Sequence, residues 1–175
     1  MVWALCGCSD PGEAWVALPP GEQLREVGSC ALESTDEPER VISVHAAFHY
    51  TMALPNHGRV WLWGLNKWPG VAAHYALEQS FPEPVESPYL RCVRKLSISG
   101  YNNCALLESG AVVCWGSGGL GAGNPDAGGP IPTKVIGLNQ PAVDIASGAS
   151  FSAAILAYCQ SVLCGRIYLW PVSLS

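Results

Sequence analysis

Gly58-Arg-Val-Trp-Leu-Trp-Gly64 and Gly110-Ala-Val-Val-Cys-Trp-Gly116 stand 52 residues apart in the chain. The correspondence continues upstream at the same offset, with Ala53-Leu54 matching Ala105-Leu106, Val44 matching Leu96 and Val41 matching Val93. A third copy opens at Val143-Asp-Ile-Ala-Ser-Gly148, at an offset of 49. It is expected to close on Gly165-Arg-Ile-Tyr-Leu-Trp170, at an offset of 55, with six residues entering its middle. Inside each copy, two runs of strand length rich in Val, Leu, Ile and Trp flank a Gly-containing turn, as in Ser99 to Leu107 and Ala111 to Trp115. That pattern predicts a β-hairpin. Hairpins recurring at a period near 50 residues, each ending in Trp, point to propeller blades rather than helical repeats. Downstream of each Trp, residues 64–90 and 116–141 are rich in Gly and Pro and lack helical periodicity. Each holds a Pro-x-Pro, at Pro82 to Pro84 and Pro130 to Pro132, so loops or edge strands are expected there.

Composition agrees with an all-β globular chain. Charged residues are 13% of the 175, about half the usual share, which excludes a coiled coil, charge-driven disorder and a polybasic nucleic-acid binder. At 49% apolar residues the chain can bury a core, and one of this length excludes about 70% of its unfolded surface from water. The net charge of -5 is uneven: residues 1–40 hold eight acids and two bases, and the remainder six acids and seven bases. The nearly neutral body gives no field to steer a polyanion.

The run Ile98-Ser-Gly-Tyr-Asn-Asn-Cys-Ala-Leu-Leu-Glu-Ser-Gly-Ala-Val-Val-Cys-Trp-Gly116 resembles the repeat of the regulator of chromosome condensation family, in which Ala-Gly-x-x-His-Thr-x-Ala-Leu leads through an Asp-Gly turn to Val-x-x-Trp-Gly. The resemblance covers about residues 41–170. Ala46-Ala47 and Ile98-Ser99 stand at the Ala-Gly position, Thr51 and Asn103 at the Thr, and Gly119-Leu-Gly-Ala-Gly123 is similar to the Gly-Gln-Leu-Gly that follows Trp-Gly. The His position holds Tyr50, Asn102 and Phe151, and the turn Asp position His57, Ser109 and Cys164, so the blades are degenerate. The resemblance implies a seven-bladed ring for the family. This chain has only about three copies: an acidic segment with an incomplete blade over 1–40, blade 1 over 41–92, blade 2 over 93–141 and a truncated blade 3 over 142–175. The expected architecture is therefore a partial β-propeller, an arc and not a closed ring. The resemblance further implies a protein-interaction scaffold, with nucleotide exchange on a small GTPase as the alternative; an enzyme with an unrecognised site is a further alternative that the resemblance does not imply. Fold transfers more safely than function.

Eight cysteines carry the most specific chemistry. If Glu108-Ser109-Gly110 is a three-residue hairpin loop, Cys104 faces Cys114 across adjacent strands. The corresponding residues are Met52 and Leu62 in the first copy, and Ala153 and Leu169 in the third as aligned above, so both members are cysteine or neither is. A cross-strand disulfide in an oxidising compartment is the preferred reading, two buried free thiols the alternative. Cysteine-bearing copies of this kind also resemble the bacterial envelope branch of the family, which implies an extracellular or envelope location. Cys159 and Cys164 are the candidates for a second disulfide, in the third hairpin, while the pairing of Cys6, Cys8, Cys30 and Cys92 stays open.

Other motifs point away from catalysis. Cys6-x-Cys8 has the wrong spacing for zinc, and His45, His49, His57 and His74 all fall in one copy, so no metal is expected. Gly116-Ser-Gly-Gly-Leu-Gly121 satisfies a dinucleotide fingerprint, with Asp144 further on, but that chemistry needs a helix opening at the third glycine. The following Ala-Gly-Asn-Pro125-Asp-Ala-Gly-Gly-Pro130 cannot form one, so no cofactor is expected. There is no Gly-x-Ser-x-Gly elbow and no His beyond residue 74. Glu83 and Glu86, among prolines, read as solvated loop charges.

Trp61, Trp63, Trp115, Tyr168 and Trp170 recur at strand ends and are expected to pack between blades; Trp15 and Trp68 fall outside the repeat and are the candidate partner contacts. Leu5-Cys6-Gly7-Cys8 resembles a lipoprotein cleavage box but lacks a basic and an apolar stretch before it. Residues 151–175 hold one charge, Arg166, whose cost at a bilayer centre of about 2.5–3.5 kcal/mol argues against a span. Unclosed, the arc should leave Ile155, Leu156, Ile167, Leu169 and Trp170 at one end and Val44, Met52 and Leu62 at the other without partners, favouring self-association.

Overall fold

The computed structural model describes residues 3–4, 30–34, 36–66, 79–116, 120–121, 129–138, 140–149, 151–157 and 162–165. In chain order the strands are β1 (Trp3–Ala4), β2 (Val41–Ala46), β3 (Tyr50–Pro55), β4 (Trp61–Asn66), β5 (Gln79–Glu86), β6 (Val93–Ile98), β7 (Asn102–Leu107), β8 (Val112–Gly116), β9 (Gly129–Lys134), β10 (Ala142–Ser147), β11 (Phe151–Leu156) and β12 (Val162–Gly165). One 3-10 turn, Ala31–Ser34, precedes β2, and no α-helix occurs among the described residues. The strands form three four-stranded antiparallel sheets, ordered β2-β3-β4-β5, β6-β7-β8-β9 and β10-β11-β12-β1. The Pro-x-Pro segments fall in β5 and β9, the outer strands of their sheets, where a missing N–H costs no ladder bond.

Each sheet repeats the same backbone bonds. The N–H at the start of the central turn donates to the residue before the sheet's first strand: Asn56 to Arg40, Glu108 to Cys92 and Ala157 to Pro141. The turn glycine then accepts from the next sheet, Val93 N–H donating to Gly58 O at 2.9 Å and Ala142 N–H to Gly110 O at 2.8 Å. Every hairpin thus clips its successor, and the sheets form an open arc. Strand β6 packs on β2 and β3, and β10 on β6 and β7.

Two hydrophobic clusters fill the gaps between sheets. Met52, Leu54, Val60 and Leu62 of the first sheet meet Val93, Leu96, Val113 and Trp115 of the second. Cys104, Leu106, Val112 and Cys114 on the other side of the second sheet meet Ala142, Ile145, Ala154 and Leu156 of the third. Covered on both sides, β7 is buried along its whole length. Close approach within each sheet, between the end of its third strand and the loop before its second, explains the Trp-Gly motif. Gly64 and Gly116 hold φ of 108° and 122°, and a Cβ on Gly116 would collide with the Tyr101 carbonyl oxygen.

Two expectations are corrected. Met52 and Leu62 do not lie on the open side of the first sheet but face the second, and Leu156 likewise is buried against the second sheet. In the third hairpin Ala153 pairs with Leu163 and Phe151 with Gly165. Gly165 therefore takes the place of Gly116 at an unchanged offset of 49, and no six-residue expansion separates β11 from β12. The ladder closes on Gly165, before Arg166 is reached.

Candidate interaction surfaces

The loops joining first to second strands lie at one edge of the arc. They share a bond in which Ala47, Ser99 and Gly148 N–H donate to Tyr50, Asn102 and Phe151 carbonyls. Exposed aromatic side chains gather there. The rings of Phe48 and Tyr101 meet edge to face at 5.7 Å, and His49 lies 6.3 Å from Phe48. Phe48 lies over Gly100, where a Cβ would strike its ring. The neighbouring strand ends Asn66 and Gln79 pair at this same edge, Leu65 N–H donating to His49 O.

The first strands of the sheets lie side by side and are joined by polar contacts. Lys95 pairs with Asp144, whose carboxylate also accepts from Ile145 N–H at 2.8 Å; these bonds, Lys95 first, hold the carboxyl below its usual range. Ser147 N–H donates to Ser97 Oγ at 2.7 Å and its hydroxyl to Ser97 O. Burial, helped by Lys95, lowers the pKa of His45, whose Nε2 lies 3.1 Å from Ser43 Oγ. Between the first two sheets, Tyr50 Oη donates to Asn103 Oδ1 at 2.8 Å or to Ser99 O at 3.1 Å. Burial raises its pKa despite the Asn103 bond.

Cys104 and Cys114 are directly opposed in the ladder and joined as a disulfide, with Cα atoms 4.1 Å apart. The Ser152 hydroxyl of the third sheet lies 3.3 Å from Cys104 Sγ. A second disulfide joins Cys30 to Cys92, with Cα atoms 5.5 Å apart. It ties the segment before β2 to the start of the second sheet, where Leu32 N–H reaches Glu108 Oε2 at 3.4 Å.

Trp15, Trp68, Tyr168 and Trp170 lie outside the described residues, as do His74, Cys6, Cys8, Cys159, Ile167 and Leu169. Cys164 lies in β12 opposite Ser152. Trp115 is buried between the first two sheets, whereas Trp61 and Trp63 are half-buried on the open side of the first. Among the described residues no three His, Cys, Asp or Glu side chains gather to hold a metal ion, and no helix is long and apolar enough to cross a membrane. The aromatic edge escaped the sequence reading because Phe48 and Tyr101 sit in turns between repeated strands. The one signal for them is an aromatic next to Gly100.

Four-stranded antiparallel sheets in an arc, each clipped to the next by its turn glycine, are blades of a β-propeller. The Regulator of chromosome condensation (RCC1) repeat model matches residues 93–122. The chain is 33% identical over 157 residues to the mitochondrial RCC1 domain-containing protein RUG3 of Arabidopsis thaliana, which covers 83% of the chain and 34% of that protein. It belongs to the RCC1 repeat family. In fold it is similar to yeast RCC1 (Prp20) as bound to Kap60, with a TM-score of 0.62 at 19% identity over 77% of this chain and 32% of that one. It is similar also to Prp20p of Saccharomyces cerevisiae, described with its binding to Gsp1p and histones, with a TM-score of 0.56 at 14% identity over 78% and 33%. The chain spans about a third of the length of these relatives.

Proposed function

We propose that this chain is a protein-interaction scaffold, engaging a protein partner through the edge that carries Phe48, His49 and Tyr101. The observation that carries this reading is the pair of contacting aromatic rings left exposed on that edge. Aromatic anchors supply much of the energy of protein interfaces. Binding is favoured over catalysis because the displaced titrations of His45, Tyr50 and Asp144 follow from packing between sheets. The two disulfides support an oxidising location, outside the cell or in its envelope.

A second reading, nucleotide exchange on a small GTPase, draws on the similarity to Prp20p, described with its binding to Gsp1p. Calorimetric titration of the chain with a Gsp1p-type GTPase and with core histones, alongside nucleotide release, separates the two. A scaffold binds without speeding release, and Phe48→Ala with Tyr101→Ala weakens binding by about tenfold or more. Faster release would favour the exchange reading, and undiminished affinity in the variant would remove the aromatic edge from the interface.

A further inference from the structure

The register of the third hairpin brings a third cysteine beside the Cys104–Cys114 disulfide. Cys164 is directly opposed to Ser152 in its ladder, as Trp115 is to Asn103 and Trp63 to Thr51. The Trp-Gly step of the first two sheets is therefore Cys164-Gly165 in the third. In the second sheet that position faces the preceding sheet: Trp115 is buried in one cluster with Met52 and Leu62. Met52 and Leu62 are the counterparts of Cys104 and Cys114. The next gap thus holds a disulfide where the first holds Met52 and Leu62, and Cys164 stands at the position from which Trp115 meets them.

The stacking of the strands agrees. Strand β11 packs on β7, and the Ser152 hydroxyl lies 3.3 Å from Cys104 Sγ. One strand further along in each sheet, β8 carries Cys114 opposite Cys104, and β12 carries Cys164 opposite Ser152. Directly opposed residues of an antiparallel pair share a face of the sheet, with Cβ atoms about 4.5–5.5 Å apart. The register therefore places Cys164 on the face that meets the second sheet, level with Cys114.

We infer that Cys164 is the exchange partner of this disulfide. Its thiolate attacks Cys114 Sγ: the Cys114–Cys164 bond forms, the Cys104–Cys114 bond breaks, and Cys104 leaves as a thiolate. Cys164 gives its proton to water and Cys104 takes one up, so the step needs neither oxidant nor reductant. The Ser152 hydroxyl stands where it can donate to the departing Cys104 sulfur, and a hydrogen bond to the charged form favours it. Burial selects this route over an external one. Cys104 and Cys114 are 1% and 2% exposed, which shields them from thiols in solution, whereas a cysteine on the facing sheet is held at high effective concentration. The exchange moves the bridge from within the second sheet to between the second and third, tying those two sheets covalently.

Disulfide mapping of the full chain tests the inference. The oxidised chain is held at about pH 8, where free cysteines are partly ionised, then quenched with N-ethylmaleimide, digested without reductant and read by mass spectrometry. Both bridges should appear, with Cys164 labelled in molecules that carry Cys104–Cys114 and Cys104 labelled in those that carry Cys114–Cys164. Cys164→Ser should abolish labelling at Cys104. Cys104→Ser should make Cys114–Cys164 the main bridge, and Cys159→Ser, which removes the cysteine between β11 and β12, should leave the wild-type mixture in place. A wild-type chain with Cys104–Cys114 as its only bridge in this gap overturns the inference. So does a complete Cys159–Cys164 bridge, and so does labelling of Cys104 in Cys164→Ser as strong as in the wild type. The wild-type and Cys164→Ser readings leave the Cys104–Cys114 pair intact, so they decide the matter even where Cys104→Ser fails to fold.

Discussion

Breaking the Cys30–Cys92 disulfide should destabilise the chain more than breaking the shorter one. The bridge closes a separation of 62 residues, for which the chain-entropy estimate is about 4 kcal/mol, against about 3 kcal/mol for the separation of ten between Cys104 and Cys114. The 3.4 Å contact from Leu32 N–H to Glu108 in the same segment is the kind worth about 1 kcal/mol or less. Cys92 also holds a φ of 56°, a left-handed conformation that costs a non-glycine residue about 1–2 kcal/mol. The expected series follows. Cys30→Ser lowers the unfolding free energy by about 4 kcal/mol, shifting a urea midpoint by about 2 M at a typical slope. Cys30→Ser with Cys92→Gly recovers about 1 kcal/mol relative to Cys30→Ser with Cys92→Ser, because glycine relieves the left-handed strain. Tryptophan fluorescence during urea unfolding without reductant reads both differences. A Cys30→Ser midpoint equal to the wild type would refute the entropic reasoning, and a glycine variant no more stable than the serine one would refute the strain at Cys92.

Gly116→Ala should cost about 2 kcal/mol or more, since its Cβ meets the Tyr101 carbonyl and its φ is 122°. Gly129→Ala, with nothing within 4 Å of the added atom, should change stability by less than about 0.5 kcal/mol; equal effects in thermal unfolding would show that crowding at the Trp-Gly step is not what requires glycine. Asp144 is held below its usual pKa chiefly by Lys95, so its contribution is present above the unfolded value of about 3.9 and lost as pH falls through the folded one. Asp144→Asn should therefore flatten the acid limb of a stability-against-pH curve and lower the neutral plateau by the same amount, which is small because the pair is half exposed. An acid limb unchanged in the variant would show that the pair contributes nothing to it.

The hairpins were legible because the information in them is local. A turn glycine, alternating apolar residues and a fixed loop length place Cys104 opposite Cys114 within one hairpin, and that is the register the strands adopt. Local pattern misleads at the third hairpin for the same reason: Gly165 precedes an apolar run as Gly110 does, but the ladder pairs it with Phe151 in the manner of Gly116. The aromatic edge was not legible, since no periodicity distinguishes an exposed turn aromatic such as Phe48 from one that folds inward.

By itself the sequence determined that the chain is a series of β-hairpins of one repeat type, with two apolar sides to each sheet. Alternation along a strand separates those sides, but it does not say which neighbour covers which. That was decided by the order of the sheets in space. Met52 and Leu62 are buried and Val41 and Val44 exposed because the second sheet lies on one side of the first, and among the described residues nothing covers the other. The partner of Cys30 was likewise set only when a turn of the first sheet brought the segment before β2 to Cys92, 62 positions away. Contacts between residues far apart in the chain depend on how sheets stack, and stacking is a property of surfaces that no local pattern encodes.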